Sequence, residues 1–172
     1  MYMKHILLIL LIGMLVQMLR SKRRFIYIFA YGSLMWDHIP FKHASRPATL
    51  KHFVRKLCIW SFSGRGTPES PGLYYGLVPQ YNKRCSGKLL IFEDECVLQW
   101  LDKREGNMYL RQKVYVDGVY AFTYVANDKH PQYDPHISEN QIKNAMKSEG
   151  RFGSTLEYIN NTINCVNNLS LL

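Results

Sequence analysis

The chain has no two cysteines at CxxC spacing and no cysteine with a histidine close by, which argues against a zinc finger and a dithiol redox motif. Its six histidines, His5, His38, His43, His52, His130 and His136, form no i,i+4 pair or HxH cluster with carboxylates nearby, so a metal centre is not expected. No GxSxG element surrounds Ser33 and no Asp…His order follows it, which sets aside a serine hydrolase. Internal repeats and low-complexity tracts are absent too. The four cysteines, Cys58, Cys85, Cys96 and Cys165, are read as thiols. Cys58 and Cys96 lie in apolar runs and are expected to pack rather than react.

Acidic residues are few: 13 against 22 basic, a formal charge of +9. Five of the basic residues, Lys4, Arg20, Lys22, Arg23 and Arg24, fall in the first two dozen positions. The 22 less those five leaves 17 against 13 acidic, so the body carries only about +4. That balance does not call for a nucleic-acid partner. At 172 residues with 47% hydrophobic content, one domain is expected, over residues 25–172, preceded by an apolar and basic extension over residues 1–24.

The extension is apolar from Ile6 to Leu19, short of the roughly 20 residues a spanning helix needs, and has no small-residue cleavage site before its basic cluster. A cleaved signal peptide is therefore disfavoured. Two readings stand: an anchor, whose heavier positive charge on the C-terminal flank keeps the body cytoplasmic, or a stretch ahead of a later start at Met14 or Met18.

Within the body, Phe25–Tyr31 reads as a buried strand entering a tight loop, and His52–Phe62 as a second strand running into the glycine-rich Ser63–Pro68. Leu73–Val78 and Lys88–Phe92 read as two more. Asp94 caps a helix on which Val97, Leu98 and Leu101 recur, with Gly106 as its stop. Asp117-Gly118 between Gln112–Val116 and Val119–Val125 marks a type I′ hairpin. Ser138–Lys147 is expected to be helical, and Ser154 with Glu157 opens a terminal helix in the capping-box pattern. Strands, one helix, a hairpin and further helices in that order argue for an α+β fold, with a mostly antiparallel or barrel-like sheet and helices outside it.

Two segments bear chemistry. Phe29-Ala30-Tyr31-Gly32-Ser33-Leu34 offers unobstructed backbone N–H groups around a glycine, a cradle for a small anion. Leu101-Asp102-Lys103-Arg104-Glu105-Gly106 brings a carboxylate to a helix end beside a glycine. A carboxylate base facing an amino-acid-like ligand is the simplest reading. Burial near Tyr109 raises such a carboxylate's pKa, whereas an inward Arg104 opposes it, so Arg104 is expected to face outward. Arg65 has two readings, a bidentate clamp on a ligand carboxylate or a loop arginine pinned to an acidic neighbour. Tyr109 is read as a site residue and Tyr158 as a wall residue. Tyr74, Tyr75 and Phe122 are expected to be ordinary barrel packing and not a base-stacking platform.

Tyr31-Gly32-Ser33-Leu34, then Arg65-Gly66-Thr67-Pro68-Glu69 with Pro71-Gly72, then Leu101–Gly106, then Gly150-Arg151-Phe152-Gly153-Ser154-Thr155-Leu156-Glu157-Tyr158 together resemble the ChaC family of γ-glutamylcyclotransferases. The resemblance runs from Phe25 to the C-terminus. It implies a small mixed, largely antiparallel β-barrel flanked by helices, and cleavage of glutathione to 5-oxoproline and cysteinylglycine without metal or organic cofactor. It places the catalytic glutamate on Glu105 and the substrate loop on Ile28, Phe29, Ala30, Tyr31, Gly32, Ser33 and Leu34, to which Arg65 and Tyr109 are added as substrate contacts. Many members carry Gly-Gly-Tyr after that glutamate, where this chain has Asn107-Met108-Tyr109. The alternatives are a cyclotransferase for γ-glutamylamines or other γ-glutamyl peptides, and a non-catalytic membrane-associated binding protein whose basic N-terminus meets acidic lipid or nucleic acid.

Overall fold

β1 (Ile26–Ala30) is apolar at every position because it is the middle strand of the sheet and is covered on both faces. A computed structural model describes residues 25–169. In it the sheet runs β2-β3-β1-β5-β4, with β1 antiparallel to β3 and parallel to β5 through Ile28 opposite Phe122. Successive β1 side chains enter opposite cores. Phe29 joins one with Leu77, Leu89, Val114 and Val116; Ile28 and Ala30 join another with Leu90, Phe92, Val97 and Leu101.

β2 (His43–Ser61) and β3 (Gly72–Phe92) form one long antiparallel hairpin, interrupted where His52 and Asn82 take positive φ. This corrects the sequence reading in two places: β2 begins well before His52, and the strands expected at Leu73–Val78 and Lys88–Phe92 are parts of a single strand. The reason is burial. Residues Pro79–Arg84 are exposed, so their polarity reflects a strand that has left the core and not a turn. Gly87 is likewise no turn; a Cβ there would meet the Ala30 carbonyl at 2.2 Å, so it lets β1 approach β3.

β4 (Tyr109–Val116) and β5 (Val119–Ala126) form the expected hairpin, with Asp117 at φ 44° and Gly118 at φ 90°. The sheet curls, because Ala48 and Leu50 from one edge share a core with Val114 and Val116 from the other. Asp117 reinforces the approach by accepting from the Thr49 N–H at 3.1 Å. Beyond β5 the chain returns to β2, where Tyr133 bridges Ile59 and the Trp60 N–H donates to the Gln132 carbonyl at 2.8 Å. The result is a curled, mixed, largely antiparallel sheet flanked by helices.

α1 (Cys96–Glu105) packs Val97 and Leu101 on the outer core and stops where Gly106 adopts φ 60° and donates its N–H to the Asp102 carbonyl. Cys96, at its first position, is exposed; the expectation that it packs is overturned, whereas Cys58 is buried and its thiol is pushed up to about 11 by that burial. α2 (Glu139–Ala145) carries a full capping box between Ser138 and Gln141. A two-residue ladder, β6 (Glu149–Gly150) with β7 (Gly153–Ser154), precedes α3 (Thr155–Leu169), whose Glu157 N–H is accepted by Ser154 Oγ at 3.1 Å. Among the described residues no helix is long and apolar enough to cross a membrane. The apolar run Ile6–Leu19 and its alternative readings lie outside the described residues.

Candidate active site

The chain leaves β1 at Ala30 and turns at Gly32 into a 3₁₀ turn over Ser33–Met35, held from several sides. Arg55 Nε donates to the Tyr31 carbonyl at 2.5 Å, and Lys88 Nζ to the Met35 carbonyl at 2.7 Å. Inside the turn the Met35 N–H donates to the Gly32 carbonyl. These bonds consume carbonyls and leave the N–H groups at the start of the turn facing out of it, as in any helical first turn.

α1 brings Glu105 to this loop from the other side. A narrow hollow of about 30 Å³, room for roughly one water, is lined by Phe29, Ala30, Tyr31, Gly32, Ser33, Leu34, Arg104, Glu105 and Tyr109, with Tyr75, Tyr124 and Tyr158. It opens into a cleft of about 520 Å³ that shares Ser33, Arg104, Glu105, Tyr109 and Tyr158 and continues past Trp36, Arg65 and Phe152. Glu105, 13% exposed, therefore sits where a tight hole meets a wide one.

Arg104 does not face outward as the sequence reading expects. It turns into the site, donating to Glu105 Oε1 at 2.5 Å, to Ser33 Oγ at 3.0 Å and to Asp37 Oδ2 at 2.9 Å. Glu105 itself and the carboxylate of Asp37, 46% exposed at the cleft edge, supply the attraction that holds it there. Glu105 is consequently under opposed influences: burial raises its pKa above the usual carboxylate value, the charge and hydrogen bond of Arg104 pull it down, and Asp37 pushes it up; burial prevails.

Tyrosines wall the hollow. Tyr109 Oη donates to the Tyr75 carbonyl at 2.9 Å, Tyr31 Oη to the Tyr124 carbonyl at 2.7 Å, and Tyr158 Oη accepts from the Tyr75 N–H at 3.2 Å. Burial first, and Glu105's charge among the further causes, raise the pKa of Tyr31, Tyr109 and Tyr158, so they remain neutral hydrogen donors around the carboxylate. Tyr109 thus stands in the site, with its hydroxyl proton committed to the backbone.

Arg65 is 6% exposed and lies on the cleft wall, its guanidinium 5.1 Å from the Tyr158 ring centre and 5.9 Å from that of Trp36. It donates through Nη1 to the Phe152 carbonyl, and its Nε is buried without a hydrogen-bond partner. No ion pair to an acidic side chain pins it among the described residues, although Glu157 lines the same cleft; the Phe152 carbonyl takes that place.

Of the residues singled out from the sequence, Phe29–Leu34, Glu105 and Tyr109 line one hollow, and Arg65 lines the adjoining cleft. Ile28 lines neither; it is wholly buried in the outer core. Sequence reasoning missed Trp36, Asp37, Phe62, Met108, Gln132 and Phe152. It also took Tyr74 and Tyr75 for plain packing, though each lines part of the site, while Phe122 packs on the outer core. The only signal for most of these is adjacency to a motif. No group of three or more metal-ligating side chains occurs among the described residues.

The family model described as ChaC-like protein matches residues 26–171. A glutathione-specific γ-glutamylcyclotransferase of Schizosaccharomyces pombe is 28% identical over 174 residues, covering 84% of this chain and 84% of that protein. One of the same name from Escherichia coli is 26% identical, covering 78% of this chain and 62% of that protein. Among solved structures, a γ-glutamyl cyclotransferase specific to glutathione from yeast superposes with a TM-score of 0.76 at 18% identity, over 83% of this chain and 87% of that one. That last likeness establishes the fold.

Proposed function

Because the chain belongs to the ChaC-like protein family, we propose that it cleaves glutathione to 5-oxoproline and cysteinylglycine, with Glu105 as the proton-transferring residue. The single observation that carries this reading is the meeting of Glu105 with the Gly32-Ser33 loop across one buried hollow that opens into a wide cleft. Two curated relatives bearing that activity in their names support the choice of substrate.

A γ-glutamyl group carries its own nucleophile. Its α-amine closes on the γ-carbonyl to form a five-membered lactam, so the protein has only to fold the chain and move a proton. Holding reacting atoms in a near-attack pose contributes on the order of 7–11 kcal/mol. In this arrangement the α-carboxylate enters the narrow hollow beside the first N–H groups of the Ser33 turn and the Ser33 hydroxyl, and the glutamyl carbons and the leaving dipeptide occupy the wider cleft along Tyr109 and Tyr158. Arg65, with a buried and unpartnered Nε, takes the glycine carboxylate at the far end. Glu105 removes a proton from the α-ammonium and returns it to the departing nitrogen.

Arg104 then sets the pH range. Glu105 accepts a proton only when ionised, and the adjacent guanidinium favours the ionised form. Arg104→Met removes that charge and raises Glu105's pKa further, so the acid limb of the kcat/KM profile moves to higher pH. Arg104→Lys keeps the charge and leaves the limb closer to its original place. A limb that stays put in Arg104→Met contradicts this role.

The reading is tested by incubating the chain with glutathione, γ-glutamylamines and other γ-glutamyl amino acids and following 5-oxoproline. Glutathione is expected to be the best substrate. Preference for a γ-glutamylamine moves the assignment to that alternative substrate class.

A further inference from the structure

The cleft beyond Glu105 has a part for which a small polar leaving group has no use. Phe62 and Phe152 are 42% and 55% exposed, and both line it, together with Met108. Their positions are fixed by backbone pairing between the two loops that carry them: the Arg151 N–H donates to the Ser63 carbonyl at 3.0 Å and the Phe152 N–H to the Gly64 carbonyl at 2.8 Å. The Arg151 guanidinium lies 4.4 Å from the centre of the Phe152 ring and covers one of its faces, which leaves Phe62 and the other face of Phe152 as apolar surface on the cleft.

The tripeptide, placed as in the cyclotransferase reading, says what meets that surface. Its glutamyl end is fixed at Glu105 and the Ser33 turn, and its glycine carboxylate is drawn to Arg65 deep in the wall. The Phe152 carbonyl is itself held by Arg65, so in this placement the phenylalanine rim adjoins the glycine end and stands beside the middle residue's side chain. An unsubstituted thiol leaves that rim bare, and the cleft, at about 520 Å³, has room for much more.

Resting on the cyclotransferase reading above, we propose that the chain also takes glutathione S-conjugates, γ-glutamyl tripeptides whose sulfur bears an apolar thioether substituent, and that Phe62 and Phe152 form the subsite for that substituent. The chemistry is unchanged and balances without a co-reactant. The γ-amide C–N bond breaks as the lactam C–N bond forms, and the proton leaving the α-amine goes to the departing nitrogen. The products are 5-oxoproline and the S-substituted cysteinylglycine.

The experiment follows 5-oxoproline release by the full chain from glutathione and its S-methyl, S-butyl and S-hexyl derivatives. Each methylene that reaches the rim lowers KM, by up to about fourfold where burial is complete. Phe62→Ser cuts the ratio of kcat/KM for S-hexylglutathione over glutathione by about fifteenfold, the loss of roughly two buried methylenes. Turnover of glutathione with an inert S-hexyl derivative, or a KM that does not change along the series, overturns the S-conjugate inference and leaves the cyclotransferase intact. Absence of 5-oxoproline from every substrate overturns both.

Discussion

Glu105→Gln is expected to lower kcat for 5-oxoproline release from glutathione by about 10²–10⁴-fold, the usual contribution of a positioned proton-transfer group, with KM changed little. The amide is nearly isosteric and can still accept from Arg104 at the position of Oε1, so the hollow keeps its shape. What it cannot do is take a proton from the α-ammonium. Other groups around the hollow do not substitute: the tyrosine pKa values are raised, not lowered, by burial and by Glu105's own charge. Asp37, the carboxylate on the other side of Arg104, is engaged by it at 2.9 Å on the cleft edge. A variant that turns over at the parental rate removes Glu105 from the mechanism.

The second large effect is on stability. Gly72→Ala is expected to cost about 3 kcal/mol and lower Tm by roughly 10 °C, combining overpacking with a broken buried hydrogen bond. A Cβ at Gly72 stands 2.1 Å from the Arg65 carbonyl oxygen and 2.4 Å from its carbon, both backbone atoms with no rotamer to yield. That carbonyl accepts from Thr155 Oγ1 at 3.2 Å, and Thr155 Oγ1 in turn accepts from the Leu73 N–H at 3.0 Å. Thr155 is wholly buried, so pushing Arg65 away strands its hydroxyl. The same displacement moves the Arg65 guanidinium along the cleft wall, and the KM for glutathione rises with it. A melting curve that overlays the parent's contradicts the account of this junction.

The chain states some of this plainly and conceals the rest for identifiable reasons. β1, the Asp117-Gly118 hairpin and the stop at Gly106 are local: burial on both faces, a positive-φ pair and a helix end are written in neighbouring residues. The length of β2 and β3 is not, because an exposed stretch of strand and an exposed loop share the same polar composition, and only pairing across the hairpin tells them apart. The site divides in the same way. Glu105 and the Ser33 loop are carried by ordered motifs, whereas the inward turn of Arg104 involves Asp37 and Ser33, 67 and 71 positions away, besides Glu105 beside it. The phenylalanine rim is invisible for the same reason, since Phe62 and Phe152 are brought to one cleft by the pairing of two distant loops.

The central claim is that the substrate's own amine, relieved of a proton by Glu105, displaces the dipeptide without any attack by water. Reaction of the chain with glutathione in ¹⁸O-enriched water tests it most directly, by mass spectrometry of the released glutamyl product. The account predicts unlabelled 5-oxoproline in amounts equal to cysteinylglycine. Glutamate carrying ¹⁸O in its γ-carboxylate contradicts it.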